Sequence, residues 1–203
     1  MTAVSVGILA GGLSRRMGQD KAFLPIAGQP VIQRVLERVR PLSDDVIIVT
    51  NTPDRYTPDN TFRVVADVFP GKGSLGGIYS ALTAARHSHC LIVACDMPFL
   101  NPSLLEHLIR LAPGYDVVVP RIADRLETTH AVYGRACLAA IERQLAHNDL
   151  QIRRFFPEVR VRVVEQAEVA HFDAKLHSFL NMNTPSDWER LQQLAAEQDE
   201  AAG

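Results

Sequence analysis

The strongest chemical signal in the sequence is a glycine-rich, basic segment at residues 9–21, LAGGLSRRMGQDK, directly after an apolar run. Its glycines are Gly11, Gly12 and Gly18, and its basic side chains are Arg15, Arg16 and Lys21. Glycines let the backbone approach a ligand closely, and successive backbone amides form a concavity that attracts anions. Together with the positive charges, these features predict a site for a triphosphate. The segment matches neither GxxxxGK[ST] nor GxGxxG, and a solvated basic turn is the alternative interpretation.

An isolated aspartate, Asp96, follows a very apolar run in the motif CDMPF. If that run is a strand of a parallel sheet, its carboxyl end faces the crevice in which such sheets bind ligands. A carboxylate this close to the core needs a partner. Mg²⁺ is a suitable one, because it is held by one or two carboxylates together with substrate phosphates. The alternative is that Asp96 caps the next helix, although Asn101 is better placed for that.

A second glycine-rich stretch, DVFPGKGSLGGI at residues 67–78, begins with Asp67. Its glycines and proline indicate a backbone that bends repeatedly and packs closely on something. The two oxygens of Asp67 are suited to accept hydrogen bonds from the amines of a base or the hydroxyls of a ribose. The alternative is an ordinary turn residue at the end of a strand.

The motif NMNTPSDW at residues 181–188 contains two asparagines, Asn181 and Asn183. Thr184 and Asp187 fit the start of a helix as a capping box, which accounts for the threonine. It does not account for two asparagines at i, i+2, which point to the same side of an extended segment. Two amides on one side can bind the donor and acceptor edge of a heterocycle, and helix capping alone is the alternative.

Weaker signals complete the set of candidates. Asn51 ends a predicted strand and could contact a base, or could serve only the turn. Arg153 and Arg154 could bind the phosphate of an acceptor, or could be surface charges. His130 is interpreted as a strand-end histidine with its hydrogen bonds satisfied, and no catalytic triad or dyad is visible.

Composition excludes several classes of protein. The chain has 203 residues, 47% of them hydrophobic and 22% charged, which is the balance of an ordinary globular domain. A net charge of -2 disfavours nucleic-acid binding. The N-terminal apolar run is too short to span a bilayer, so we expect no membrane association. The three cysteines fit no zinc motif and indicate reduced thiols, which favours the cytoplasm.

The elements that must position these residues alternate between strand and helix over the first 120 positions. Buried strands are predicted at residues 5–10, 45–50, 63–66, 91–94, 116–119, 129–133 and 159–164. Helices are predicted around residues 31–39, 75–85, 104–109, 136–145 and 186–195. The pattern predicts a three-layer α/β/α domain with a mainly parallel sheet and one antiparallel strand near residues 129–133. We expect one domain at residues 1–196 and an acidic, frayed tail at residues 197–203.

Several of these motifs resemble those of one enzyme family. LAGGLSRRMGQDK closely resembles the signature LAGGxSxRMGxDK of nucleotidyltransferases with a glycosyltransferase-A-like fold, and most of all that of the molybdenum cofactor guanylyltransferases. DVFPGKGSLGGI resembles the family's DxxPGxGPLxGI, with Ser74 where proline is usual, and CDMPF and NMNTP resemble its metal-binding and pterin-side motifs. The resemblance spans residues 9–185 and implies a Rossmann-like sheet of the nucleotide-diphospho-sugar transferase type.

The resemblance also implies a reaction, in which the terminal phosphate of molybdopterin attacks the α-phosphorus of GTP and displaces pyrophosphate. It implies that Asp96 holds Mg²⁺, that Arg15, Arg16 and Lys21 offset charge on the pyrophosphate, and that Asn181, Asn183, Arg153 and Arg154 bind the acceptor. It places the nucleotide on Leu9, Ala10, Gly11, Gly12, Lys21, Asp67 and Asp96, to which the position of Asn51 at a strand end adds a further candidate. Molybdoenzymes or their chaperones are further expected partners.

Two alternatives stay open. One is a related nucleotidyltransferase that uses CTP with molybdopterin, or a nucleoside triphosphate with a sugar 1-phosphate. The loop LAGG, in place of the LAAG associated with cytidylyl transfer, and the NMNTP motif weigh against these. The other is a non-catalytic nucleotide-binding protein that delivers the cofactor, which would be expected to lose Asp96 or the basic loop.

Overall fold

A computed structural model describes residues 3–11 and 21–202 of the chain. In this part of the chain, eight strands form one sheet and two short strands form a separate hairpin. The sheet strands are β1 Ser5–Leu9, β4 Val46–Thr50, β5 Arg63–Ala66, β6 His89–Ala94, β7 Val117–Ile122, β8 Arg125–Leu126, β9 His130–Gly134 and β10 Val161–Glu165. The hairpin consists of β2 Pro25–Ile26 and β3 Gln29–Pro30.

The strand order of the sheet is β10-β7-β9-β6-β1-β4-β5, with β8 paired to β7 at one end. The pairs β1–β4, β1–β6, β4–β5 and β7–β10 are parallel. Strand β9 is antiparallel to both of its neighbours, β6 and β7. The predicted mainly parallel sheet with an antiparallel strand near residues 129–133 is therefore confirmed, and the short strand β8 is a second antiparallel strand.

Helices cover both faces of the sheet. They are α1 Val31–Val39, α2 Gly73–Ala84, α3 Pro102–Leu111, α4 Leu138–Ala146, α5 Gln166–Val169 and α6 Pro185–Ala202. Apolar residues of α1, α3, α5 and α6 pack in one buried cluster, and those of α2 and α4 pack in another. The three-layer α/β/α architecture that the sequence predicts is confirmed.

The central strands supply both clusters because neighbouring side chains of a strand point to opposite faces. In β4, Ile48 belongs to the cluster under α1, while Ile47 and Val49 belong to the cluster under α2. In β1, Gly7 faces α2, and a Cβ atom there would lie 2.7 Å from Cβ of Ala81. The missing side chain therefore lets α2 lie against β1 at close range.

Two local features differ from the sequence-based expectations. Residues 25–30, where the sequence predicts no strand, form the β2–β3 hairpin, whose turn places Ala27 and Gly28 at φ 48° and 76°. Helix α6 continues to Ala202, beyond the helix end that the sequence predicts near residue 195. The last turns of α6 are rich in alanine, glutamine and glutamate, which are strong helix formers. Within the described residues, no helix is long and apolar enough to cross a membrane.

Candidate functional site

A cavity of about 740 Å³ opens at the carboxyl ends of β1, β4, β5 and β6. Nine of the residues that the sequence singles out line it. They are Leu9, Ala10, Gly11, Lys21, Asn51, Asp67, Asp96, Asn181 and Asn183. The candidate nucleotide residues, the candidate metal ligand and both asparagines thus surround one space, although they come from opposite ends of the chain.

Of the five other residues that the sequence singles out, three lie outside the described residues and two lie away from the cavity. Gly12, Arg15 and Arg16 lie outside the described residues. Arg153 and Arg154 do not line the cavity. They lie in the 3-10 helix Ile152–Glu158, where both are exposed. Nε of Arg154 donates to Oε1 of Gln151 at 3.1 Å, so this side chain has a local partner on the surface.

The strand ends meet in register at the cavity because β1 lies between β4 and β6. Leu9 pairs with Ala94, and the amide of Cys95 donates to the carbonyl of Leu9 at 3.1 Å. On the other side, the amide of Ala10 donates to the carbonyl of Val49 at 2.8 Å. This register brings the backbone of residues 9–11 beside Asp96.

Asp96 does not cap a helix. The side chain of Asn101 caps α3, accepting hydrogen bonds from the amides of Ser103 and Leu104 at 2.9 and 3.2 Å. Burial raises the pKa of the Asp96 carboxyl above its usual value, and the positive charge of Lys21 opposes that rise. The capping alternative is therefore wrong, and Asp96 lines the cavity instead.

Lys21 lies between Asp96 and Asn183. Its Nζ donates to Oδ1 of Asn183 at 2.8 Å and lies 3.8 Å from Oδ2 of Asp96. The side chains of Lys21 and Asp96 are 18% and 20% exposed, so this pair is mostly withdrawn from solvent while still facing the cavity. An ammonium in this position can bind the phosphate oxygens of a ligand in the cavity.

The segment that carries both asparagines is anchored at two points. The amide of Met182 donates to the carbonyl of Asp96 at 3.0 Å. At the start of α6, Oδ2 of Asp187 accepts from the amide of Thr184 at 2.8 Å, and Oγ1 of Thr184 accepts from the amide of Asp187 at 3.1 Å. The predicted capping box is thus present, and it accounts for Thr184 while both asparagine side chains face the cavity.

Asp67 combines a structural role with a place in the cavity wall. Its Oδ1 accepts hydrogen bonds from the hydroxyl of Ser80 at 2.8 Å and from the amide of Phe69 at 3.1 Å. These contacts fix the turn between β5 and α2. Its Oδ2 has no hydrogen-bond donor among the described residues, so one oxygen is available to a ligand.

Asn51 and the start of α2 complete the rim. Nδ2 of Asn51 donates to the carbonyl of Gly11 at 3.4 Å and so links the ends of β4 and β1. Gly73 and Ser74 begin α2 at the cavity, and Lys72, the N-cap residue, makes no side-chain capping hydrogen bond. The first amides of α2 therefore face a space in which an electronegative group would be favoured.

The sequence did not single out Thr129 or Cys95 as site residues, and both line the cavity. Thr129 reaches this edge because β9 runs antiparallel, so the residues before the strand lie where the other strands end. The predicted antiparallel direction of this strand could have identified Thr129 as a residue of the cavity. Cys95 adjoins Asp96 in the CDMPF motif, and this position in the sequence could have identified it as a residue of the cavity.

His130 differs from its sequence-based interpretation. The side chain is fully buried, and neither ring nitrogen has a hydrogen-bond partner among the described residues. Burial lowers its pKa to about 4, and its ring packs 4.7 Å from that of Phe179. The expectation of satisfied hydrogen bonds was therefore wrong, while the expectation that His130 is not a catalyst is consistent with a neutral, inaccessible ring.

Comparison with known families decides the class of protein. The model of the MobA-like NTP transferase domain matches residues 6–166, which contain most of the sheet and most of the cavity wall. The chain belongs to the MobA-like NTP transferase family.

Relatives of this MobA-like NTP transferase extend over nearly the whole chain. A probable molybdenum cofactor guanylyltransferase of Pelotomaculum thermopropionicum is 39% identical over 93% of this chain and 91% of its own length. The molybdenum cofactor guanylyltransferase of Desulfosudis oleivorans is 39% identical over 95% of this chain and 96% of its own length. The MobA-like NTP transferase described here is an enzyme, a nucleotidyltransferase, as the sequence predicts.

Solved structures agree on the fold. Molybdopterin-guanine dinucleotide biosynthesis protein A of Archaeoglobus fulgidus is 28% identical, with a TM-score of 0.83 over 96% of this chain and 100% of that one. The 2-C-methyl-D-erythritol 4-phosphate cytidylyltransferase of Thermus thermophilus is 18% identical, with a TM-score of 0.70 over 96% of this chain and all of the other. The fold of the MobA-like NTP transferase is thus that of nucleotidyltransferases of the nucleotide-diphospho-sugar transferase type.

Proposed function

We propose that this MobA-like NTP transferase transfers GMP from GTP to molybdopterin, forming the guanine dinucleotide cofactor and releasing pyrophosphate. The observation that carries the proposal is that a single cavity collects Lys21, Asp96, Asn181 and Asn183. Those groups suit a triphosphate, a metal and a heterocycle, in a chain that matches proteins named molybdenum cofactor guanylyltransferase over more than nine-tenths of its length.

The reaction joins an oxygen of the acceptor phosphate to the α-phosphorus of GTP and breaks the bond from that phosphorus to the oxygen that bridges to the β-phosphate. The electron pair of the broken bond leaves with pyrophosphate. A phosphate monoester is already anionic at neutral pH, so the attack needs no general base. Catalysis then consists of positioning and of neutralising charge. Lys21 supplies positive charge beside Asp96, and the backbone of residues 9–11 lies against the nucleotide.

The side chains fit a hard divalent cation. The described residues contain no group of three or more histidine, cysteine, aspartate or glutamate side chains that could hold a metal by themselves. Asp96 and Asp67 are the carboxylates among the described residues of the cavity wall, and Mg²⁺ is commonly held by one or two carboxylates with substrate phosphates completing its shell. Nucleotidyltransferases of this kind generally use a divalent metal. Bound at Asp96, Mg²⁺ would offset negative charge on the phosphates.

The acceptor side of the cavity is assigned to the two asparagines. Asn181 and Asn183 both line the cavity, and their amides offer donors and acceptors to the edge of a pterin. Asp67 and Asn51 line the same cavity and are assigned to the nucleotide, as the sequence suggests. Arg153 and Arg154 receive no role in this proposal, since neither lines the cavity. The reaction is placed in the cytoplasm, where the sequence places the chain.

A calorimetric titration tests the nucleotide. The protein is titrated with GTP, CTP, ATP, UTP and dTTP in the presence of Mg²⁺, and we expect selective binding of GTP. A second assay follows label from α-labelled GTP into the pterin product, with pyrophosphate measured in parallel. Selective binding of CTP, UTP or dTTP, or GTP binding without transfer of label to molybdopterin, would contradict the proposal.

A further inference from the structure

Lys21 is held by a residue that the proposed function assigns to the other substrate. Its Nζ donates to Oδ1 of Asn183 at 2.8 Å, across 162 positions of sequence. Its distance of 3.8 Å from Oδ2 of Asp96 is too long for a hydrogen bond. The ammonium is therefore hydrogen-bonded to a neutral amide rather than to the carboxylate beside it.

This arrangement needs an explanation. A lysine next to a mostly buried carboxylate would ordinarily form a direct, charge-assisted hydrogen bond with it. Such a contact would occupy the carboxylate proposed to hold the metal. It would also direct the ammonium away from the phosphates. The amide oxygen of Asn183 offers an alternative acceptor that keeps the positive charge near Asp96 without joining it.

Asn183 can serve as a fixed holder because its backbone is anchored. Its amide donates to Oδ2 of Asp187 at 3.0 Å, and the amide of the preceding residue, Met182, donates to the carbonyl of Asp96 at 3.0 Å. Lysine has a long, flexible side chain that loses rotamer freedom when it is ordered. A fixed acceptor meets part of that cost before the ligand binds.

Helix α6 also fixes the chain on the Lys21 side. Nε1 of Trp188 donates to the carbonyl of Pro25 at 2.8 Å, and Oε1 of Gln192 accepts from the amide of Ala27 at 2.8 Å. The β2–β3 hairpin that follows Lys21 is thus tied to the helix that follows Asn183. Both partners of the contact rest on the same support.

The other asparagine of the motif, Asn181, does not make this contact. Nδ2 of Asn181 donates to the carbonyl of Phe179 at 3.2 Å, and no hydrogen bond joins Asn181 to Lys21. The two asparagines line the same cavity but differ in what they touch. We propose that Asn183 is a positioning residue for Lys21: its amide oxygen holds the ammonium where a triphosphate binds, ion-paired with Asp96 at 3.8 Å but without a direct hydrogen bond to it.

This inference rests on the proposed function, since it takes the cavity to be a triphosphate site, and it gives Asn183 a part in nucleotide binding. Asn183→Ala is expected to weaken binding of the nucleotide–Mg²⁺ complex about five- to tenfold, less than the loss of a hydrogen bond to a charged group, because the ammonium itself stays and only its position changes. In a Lys21→Met background the same substitution is expected to change affinity less than twofold, because its effect passes through the lysine.

Calorimetric titration of wild type, Asn183→Ala, Lys21→Met and the double variant measures this dependence, with the nucleotide that wild type binds most tightly. Ser186→Ala is the matched control, because Ser186 is an exposed residue of the same turn whose hydroxyl pairs with that of Thr184, and its loss leaves the anchor of Asn183 on Asp187 in place. Circular dichroism and thermal melting confirm that each variant is folded. Asn183 is exposed, so its truncation leaves the core intact.

Each outcome decides the matter. A loss in Asn183→Ala that disappears in the Lys21→Met background supports the proposal. Unchanged affinity in Asn183→Ala, an equal loss in both backgrounds, or the same loss in Ser186→Ala would overturn it. The test separates from that of the proposed function: if wild type prefers a nucleotide other than GTP, guanylyl transfer fails, while the role of Asn183 is still measured with the preferred nucleotide.

Discussion

At the scale of single residues, Asp96 brings together two opposing requirements. Burial raises the pKa of its carboxyl, which means that the folded state disfavours the charged form. Lys21, 3.8 Å away, compensates only in part. A charged Asp96 therefore lowers the stability of the folded state. Such a cost is common for side chains that serve the activity of a protein and not its stability.

Asp96→Asn separates these requirements. We expect transfer of GMP to fall by orders of magnitude, because the amide cannot replace a carboxylate toward a divalent cation. The melting temperature is expected to stay the same or rise, because the substitution removes a charge whose pKa burial raises. Label transfer from α-labelled GTP and a thermal melt provide the two measurements. Turnover close to wild type in a well-folded Asp96→Asn protein would contradict the metal assignment.

Lys21→Ala is expected to weaken triphosphate binding about ten- to a hundredfold, the usual effect of losing a hydrogen bond from a charged donor. Lys72→Ala provides the control. Lys72 precedes α2, but its Nζ donates to Oδ1 of Asn148 at 2.7 Å and it does not line the cavity. Calorimetry with GTP and Mg²⁺ measures both variants. Equal losses would mean that general positive charge, rather than the position of Lys21, governs binding.

At the scale of elements, β1 and α2 must lie close together for the cavity to have its shape. Gly7 in β1 makes this possible, since a Cβ atom there would lie 2.7 Å from Cβ of Ala81 and 2.9 Å from Cδ1 of Ile92. The same helix brings Gly73, Ser74 and Gly77 to the cavity wall. A change at the buried strand is therefore transmitted to the rim by the helix as a unit.

Gly7→Ala is expected to destabilise the protein by about 1–3 kcal/mol, the usual cost of overpacking a core, and to weaken nucleotide binding as α2 moves outward. Gly134→Ala is the matched control. Gly134 ends β9 at φ -88°, and a Cβ atom there would meet no atom closer than 3.4 Å. Urea unfolding and GTP titration measure the two variants. A Gly7→Ala protein as stable as Gly134→Ala would contradict the close-packing argument.

The elements also show what a sequence can and cannot predict. Strands β1, β4 and β6 are predicted because they are continuous apolar runs, which strands buried on both faces require. The β2–β3 hairpin is not, because two-residue strands around Ala27 and Gly28 leave no hydrophobic period to detect. Asp96 is predicted from its place after a strand. The contact of Lys21 with Asn183 is not, because it depends on how distant segments pack.

At the scale of the whole molecule, the charged side chains at the two ends of the strands differ in their exposure. The carboxyl edge is the side of the sheet where β1, β4 and β6 end, and the amino edge is the opposite side, where they begin. The carboxyl edge keeps Lys21 and Asp96 beside an open cavity. The amino edge closes over Asp45, whose side chain is fully buried and accepts hydrogen bonds from Oγ of Ser5 at 2.6 Å and from Nη2 of Arg63 at 2.7 Å. Because Ser5 and Arg63 begin β1 and β5, and Asp45 directly precedes β4, this network joins three strands at the edge away from the cavity.

Stability in acid is expected to depend on the network around Asp45. Burial alone would raise the pKa of this carboxyl, but hydrogen bonds from Ser5, the amide of Arg86 and Arg63 outweigh it and lower the pKa below its ordinary value of 3.8. A carboxyl whose pKa is lower in the folded state stabilises the protein above pH 3.8, and that stabilisation is lost as the pH falls through the folded-state pKa.

Asp45→Asn tests this account because it keeps the shape of the side chain and removes its charge. At pH 7 we expect a loss of about 3 kcal/mol in the free energy of unfolding, the usual cost of breaking a buried ion pair. The difference from wild type should shrink as the pH falls below the ordinary pKa of 3.8, because the unfolded wild type then takes up a proton that the folded state binds only at lower pH. Urea unfolding from pH 7 to pH 3 measures it, with the exposed Asp54→Asn as control. A difference that stayed constant over this range would mean that packing, rather than the charge of Asp45, holds the amino edge closed.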